Sequence, residues 1–131
     1  MSESVFQSTA LVTGKAAGEI AKFARVTGPV GTGRVFTEAG LTGRADGIAM
    51  RPATAANDQI LVSLASGAGT LFGIAAGAIT AGDTVYGAAD GKLSDTQGIG
   101  AFAEGYAITD AAADGDIIEW RYKPELTAGT E

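Results

Sequence analysis

The chain has 131 residues with nine Lys and Arg against fifteen Asp and Glu, a net charge of −6, and neither Cys nor His. That length suits one domain able to bury roughly two-thirds of its unfolded surface. The missing residue types exclude disulfide stapling, thiolate zinc sites, thiol nucleophiles and imidazole acid–base chemistry. The acidic balance argues against nucleic-acid and membrane-surface partners, whose phosphates are held by Lys and Arg.

In chain order, Met1–Gln7 reads as a flexible N-terminal arm without the basic start and apolar run of a signal peptide. Within it, Val5 and Phe6 are apolar residues in a polar setting, suited to ordering on a partner by adding to a sheet edge. Ile20–Val26 is a predicted strand. Gly28-Pro29-Val30-Gly31-Thr32-Gly33-Arg34 superficially resembles a phosphate loop. It lacks the Gly-Lys-Ser/Thr ending of a Walker motif and the βα setting of a dinucleotide fingerprint, so it reads as a flexible β turn into Arg34-Val35-Phe36.

A short helix is expected at Ala53–Asn57 or at Thr109–Ala113, where Ala gathers. Longer helices are disfavoured by glycine in nearly every window, each costing about 1 kcal/mol relative to Ala. Asp58–Leu64 alternates so that Ile60, Val62 and Leu64 share one face, and Thr70–Ile74 is a further strand. Even the apolar stretch 67–81 is diluted by Gly and Thr, and no run reaches the roughly 18 apolar residues of a membrane span. Thr84-Val85-Tyr86, a turn ending in Asp90-Gly91, and Lys92-Leu93-Ser94 make a predicted hairpin, because Asp-Gly supplies positive φ. The last strand, Asp116–Tyr122, places Ile118, Trp120 and Tyr122 on one face and Glu119 and Arg121 on the other. Residues 123–131 form a C-terminal tail.

Residues 33–64 and 91–122 align with each other without a gap, at an offset of 58 positions (91 − 33 = 58). Identities include Gly47/Gly105, Ala53/Ala111, Asp58/Asp116 and Ile60/Ile118, and Arg34/Lys92 and Asp46/Glu104 are conservative pairs. One small β unit is therefore used twice. The expected fold is mainly β: a small single-domain sandwich, barrel or β-clip-like fold with an internal two-fold repeat and little helix, spanning 8–122.

No catalytic constellation is recognisable: among the fifteen acids no carboxylate pair lies in a recognisable context, and such a pair is defined by a spatial separation that residue order does not give. With no His, a serine triad is impossible, and no Gly-x-Ser-x-Gly elbow occurs. Asp110, Asp114 and Asp116 cluster around Gly115 but lack the ligand set of a calcium loop, so they read as a solvated turn and no metal or cofactor is expected. The bulky side chains Trp120, Tyr122 and Tyr106 are candidates for the core or for an oligomer interface.

The run Ala78-Ile79-Thr80-Ala81-Gly82-Asp83-Thr84-Val85-Tyr86, then Ala89-Asp90-Gly91-Lys92-Leu93, Glu104-Gly105-Tyr106-Ala107 and Asp114-Gly115-Asp116-Ile117-Ile118, resembles the capsid cement (head decoration) proteins of tailed bacteriophages. The resemblance covers roughly Ser8 to Tyr122 and is most specific over 78–118; the Phe102/Glu104 strand is more polar than that family's pattern, and the tail beyond Tyr122 is additional. It implies a non-enzymatic virion protein, made in the host cytoplasm. It also implies binding to the major capsid protein on the outer surface of the head, as a homo-oligomer with a trimer favoured over a dimer. In that role Val5 and Phe6 would contact the capsid and a β face would serve the oligomer. A module displayed on the virion for binding host surfaces or glycans is the alternative expectation.

Overall fold

The structure is a computed structural model in which residues 11–66, 69–125 and 129 are described. Val5 and Phe6 lie outside them. Short aliphatic clusters between turn residues form ten strands, in two groups of five. The first group is β1 Leu11–Ala16, β2 Arg25–Val30, β3 Val35–Glu38, β4 Gly47–Ala49 and β5 Gln59–Leu64. The second is β6 Leu71–Ile74, β7 Thr84–Gly87, β8 Leu93–Ser94, β9 Ala103–Ala107 and β10 Ile117–Tyr122. The first five close into a barrel in the order β1-β3-β2-β4-β5; the second five make a curled sheet in the order β6-β10-β9-β7-β8.

These are the same topology twice. Read from β3 and β8, the orders run β3-β2-β4-β5-β1 and β8-β7-β9-β10-β6. The registers agree as well: Lys15 faces Gln59 as Ile74 faces Ile117, and Arg25 faces Ile48 as Thr84 faces Tyr106. The repeat therefore extends upstream of the stretch recognisable in sequence, with a one-residue insertion that moves Val26 onto Val85 (85 − 26 = 59).

Matched positions do matched work. Asp58 Oδ2 accepts the backbone N–H groups of Thr54 and Ala55, and Asp116 Oδ2 accepts those of Ala112 and Ala113, each closing the turn before its strand. Gly47 and Gly105 sit where a Cβ would strike the carbonyl oxygens of Ser63 and Arg121, which are themselves equivalent. Gly14 clears the ring of Phe36, and Gly73 clears the indole of Trp120. The large residue has thus moved between copies: Phe36 on β3 with Val62 on β5 in the barrel, Ser94 on β8 with Trp120 on β10 in the sheet.

Closure differs too. In the barrel, β1 and β3 pair in parallel at Lys15–Val35 and Ala16–Phe36. In the second unit a two-residue β8 leaves a single parallel bridge, Ala75–Leu93.

Three local expectations are corrected. The strand expected at Ile20–Val26 begins at Arg25: Ala24 N–H closes a turn onto Ala21 C=O and Phe23 adopts φ 70°, so the chain reverses before it extends. The turn expected across Gly28–Arg34 starts later, because Gly28-Pro29-Val30, joined by a cis Gly28–Pro29 bond, still belongs to β2; the reversal occupies 31–34, with Gly31 at φ 77° and Arg34 at φ 55°. Neither Ala53–Asn57 nor Thr109–Ala113 is helical. Ala53 and Ala111 are pinned in bridges to Ile20 and Ile79, and the following N–H groups are taken by Asp58 and Asp116 rather than by helical carbonyls. The described helical content is one 3₁₀ turn, Ala89–Gly91, in the predicted β7–β8 hairpin, where Asp90 (φ 61°) and Gly91 (φ 72°) supply the positive φ. Among the described residues no helix is long and apolar enough to cross a membrane.

Two apolar clusters fill the halves and trade members. Ile74 of the sheet packs into the barrel's cluster with Phe36, Ile60 and Val62, while Ile48 of the barrel packs into the sheet's cluster with Val85, Leu93, Ile118 and Trp120. Phe23 touches both. Burying large side chains against the neighbouring unit, at about 1.5–3 kcal/mol each, makes the two halves mutually dependent.

Candidate functional site: the junction of the halves and its outer faces

Arg25 opens β2 between the buried Ala24 and Val26, so strand alternation turns it to the outer face of the barrel, which the second unit covers. From there it crosses into the second unit. Nε donates to Lys92 C=O (2.9 Å), Nη1 to Gly43 C=O (2.9 Å) and Glu104 Oε2 (3.0 Å), and Nη2 to Gly40 C=O (3.0 Å) and Ala88 C=O (2.7 Å). These bonds match the five N–H donors of a guanidinium. Glu104 Oε2 also accepts the N–H of Ala45 (2.8 Å), and neither side chain of the ion pair is exposed. Gly87 allows the approach, since a Cβ there would lie 3.0 Å from Arg25 Nη1. Burial pulls the Arg25 guanidinium below its ordinary value, and the charge of Glu104 pulls it back. Every donor is engaged, so the arginine has none left for a substrate; it is a latch between halves.

Sequence reasoning missed this pair. Asp46 and Glu104 align as a conservative match, yet Asp46 reaches an exposed backbone group, Gly28 N–H at 2.8 Å, while Glu104 is buried. The available signal was an arginine amid apolar residues on a predicted strand.

The three candidate aromatics separate. Trp120 is fully buried, its Nε1 donating to Phe72 C=O at 3.1 Å, which makes it a core residue. Tyr122 is half-buried and meets Trp120 edge-on, ring centroids 6.2 Å apart. Burial, seconded by the charge of Glu104, pushes its phenol above the ordinary value. Tyr106 pairs in register with the exposed Arg121 and is only partly covered.

The outer face of the curled sheet carries apolar side chains. Phe72 (47% exposed) lies across from Glu119, Ile117 (48%) is two residues along the same strand, and Ile108 donates its N–H to Glu119 C=O. An aliphatic and aromatic strip thus surrounds one carboxylate. By contrast, Asp110, Asp114 and Asp116 diverge: Asp110 accepts Ala81 N–H, Asp114 pairs with Lys92 at 2.8 Å, and Asp116 closes its turn. A groove of about 370 Å³ crosses the junction, with Ile20 and Ile74 beneath Glu19, Glu38, Asp90 and Lys92.

No protein-family profile and no curated protein matches the chain. Among solved structures it is similar to the head fiber gp8.5 N base of bacteriophage phi29, with a TM-score of 0.73 at 18% identity, over 91% of this chain and 98% of that one. At that identity the likeness is one of fold. It extends through both halves, so the doubled unit is shared as a whole.

Proposed function

We propose that the chain is a structural protein of a bacteriophage virion that binds the outer surface of the head and stabilises the expanded shell by clamping adjacent capsid subunits. The observation that carries this reading is the likeness to a phage head-fiber base across nearly the full length of both chains. The cement-protein resemblance in 78–118 points the same way from sequence. The interior agrees with it: the most elaborate polar constellation, Arg25 with Glu104, is consumed in joining two β units. A clamp needs a rigid body with outward faces rather than a reactive pocket. In this reading the strip of Phe72, Ile117 and Ile108 serves the homo-oligomer, and the N-terminal arm with Val5 and Phe6 serves the major capsid protein. Several weak contacts, repeated by symmetry, then add to high avidity. Binding the expanded shell in preference to other states stabilises it by mass action.

The test is to mix the purified protein with expanded heads lacking it and measure bound protein and the temperature of DNA release. Saturable binding with a raised release temperature is expected. Absence of binding, or binding with no rise, overturns the clamp.

A further inference from the structure

The two copies of the repeat have diverged in charge far more than in shape. Residues 11–66 carry Lys15, Lys22, Arg25, Arg34, Arg44 and Arg51 against Glu19, Glu38, Asp46 and Asp58, a balance of +2 (6 − 4). Residues 69–125 carry three basic and nine acidic residues, a balance of −6 (3 − 9). The barrel is therefore the cationic half of an acidic protein, and three of its six cations, Lys15, Arg34 and Arg51, gather on one face.

Two adjoining concavities lie on that face. One, of about 400 Å³, is lined by Thr13, Gly14, Lys15, Gly33, Arg34, Asn57 and Gln59; the other, of about 220 Å³, shares Thr13 and Gln59 and adds Arg51, Ile60 and Leu61. Strand order explains the trench. Arg34 precedes β3, Lys15 and Thr13 lie on β1 beside it, and Gln59 and Leu61 lie on β5 beyond, in register with Lys15 and Thr13. Arg51 follows β4 on the far side of β5, where Met50 N–H bonds to Leu61 C=O. The three cations thus span four neighbouring strands, β3-β1-β5-β4, a breadth of roughly 15 Å at about 4.8 Å per spacing. Arg34 is oriented by donating Nε to Thr13 C=O at 3.1 Å, which leaves its Nη groups for a ligand.

No carboxylate lines either concavity. The nearest in sequence, Asp58, is committed to Thr54 and Ala55. Burial of Arg25 accounts for one barrel cation, but Lys15, Arg34 and Arg51 have no ion-pair partner among the described residues. Between the cations stand neutral hydrogen-bonding groups, Thr13, Asn57 and Gln59, and no aromatic ring.

We infer that this trench is a binding site for an acidic oligosaccharide, of the uronic-acid type, lying across β3, β1 and β5. Guanidinium groups take carboxylates in paired, charge-assisted hydrogen bonds, which suits Arg34 and Arg51 at its two ends. The hydroxyls of the sugar rings match the amides and the threonine between them. An extended acidic peptide would satisfy the cations but offers that neutral lining one N–H and one C=O per residue, fewer hydrogen-bonding groups than the several hydroxyls of each sugar ring. The inference concerns a face distinct from the apolar strip of the curled sheet and stands whether or not the chain clamps a capsid.

The test is a two-dimensional NMR titration of the full chain with tri-galacturonate, with the neutral sugar maltotriose and with a hexaglutamate peptide as comparators. Tri-galacturonate is expected to move the amide signals of Thr13, Lys15, Arg34 and Gln59 saturably, with maltotriose at least about tenfold weaker, the factor one charge-assisted contact supplies, and hexaglutamate weaker than tri-galacturonate. Lys15→Glu/Arg51→Glu, its fold checked by its own spectrum, is expected to weaken binding at least about tenfold, while Lys123→Glu in the other half leaves it unchanged. Signals that do not move, binding undiminished in the double variant, or hexaglutamate binding as tightly as the sugar would each overturn the assignment.

Discussion

Arg25 Nη1 and Glu104 Oε2 meet at 3.0 Å with both side chains excluded from solvent, joining β2 of the barrel to β9 at the centre of the curled sheet. Their 79-residue separation makes this contact a tie between the two copies of the repeat rather than a feature of either. A buried charge is tolerable only with its partner and its hydrogen bonds in place.

Breaking that tie is expected to be costly. Glu104→Leu leaves Arg25 charged and uncompensated, a loss of about 3–5 kcal/mol in urea-denaturation free energy. Arg25→Met is expected to cost at least as much, because it strands the carboxylate and also the carbonyls of Gly40, Gly43, Ala88 and Lys92. Were Arg25→Met/Glu104→Leu to equal the wild type, the latch would be dispensable to the fold.

Glycines should sort by what surrounds them. At Gly73 a new Cβ would lie 2.7 Å from Leu93 and 2.8 Å from the Trp120 indole, so Gly73→Ala is expected to lose about 1–3 kcal/mol by overpacking. Gly40 faces open space, and Gly40→Ala is expected within about 0.5 kcal/mol of wild type. Thermal melts of the two variants decide it.

Trp120 is the sole tryptophan, so its fluorescence reports directly on the core of the second unit. Emission is expected to be blue-shifted in the native protein and to move red on unfolding. Trp120→Ala is expected to cost about 3–5 kcal/mol. An exposed-type native emission maximum would contradict the packing.

The pH response has a sign at each end. Hydrogen bonds from Thr54 and Ala55 hold the Asp58 carboxyl below its ordinary value, so its stabilising contribution is present above about pH 4 and is lost as pH falls through the depressed folded value. Lys92 is raised, first by its hydrogen bond to Asp114; its contribution is complete below the ordinary lysine range and is lost as pH rises through the folded value. Tyr122, raised by burial, resists ionisation while folded, so stability falls further as pH climbs past about 10, where the unfolded phenol ionises first. Denaturation midpoints against pH should show Asp58→Ala flattening the acid limb and Lys92→Met flattening the alkaline limb. Unchanged limbs would remove these groups from the linkage.

Much of the second half was readable from residue order, because its determinants act over a few residues. Alternation at Ile118, Trp120 and Tyr122 settles the inward face of β10, Asp90-Gly91 supplies the positive φ of its hairpin, and the offset of 58 pairs β5 with β10. Strand β1 escaped notice because Gly14 and Lys15 interrupt its apolar pattern; its place follows from the ladder with β5, not from its own composition. The trench escaped for the same reason: Arg34, Lys15 and Arg51 are distant in sequence and become neighbours only across strands.

By itself the sequence determined that a glycine-punctuated β unit occurs twice, since turn chemistry and strand alternation are local and survive in each copy. Only the tertiary structure decided that one copy closes and the other stays open. The short β8 and the shift of the large core side chain from Phe36 to Trp120 act through packing across strands. The same holds for the buried ion pair and the gathered cations, which depend on which strands lie side by side.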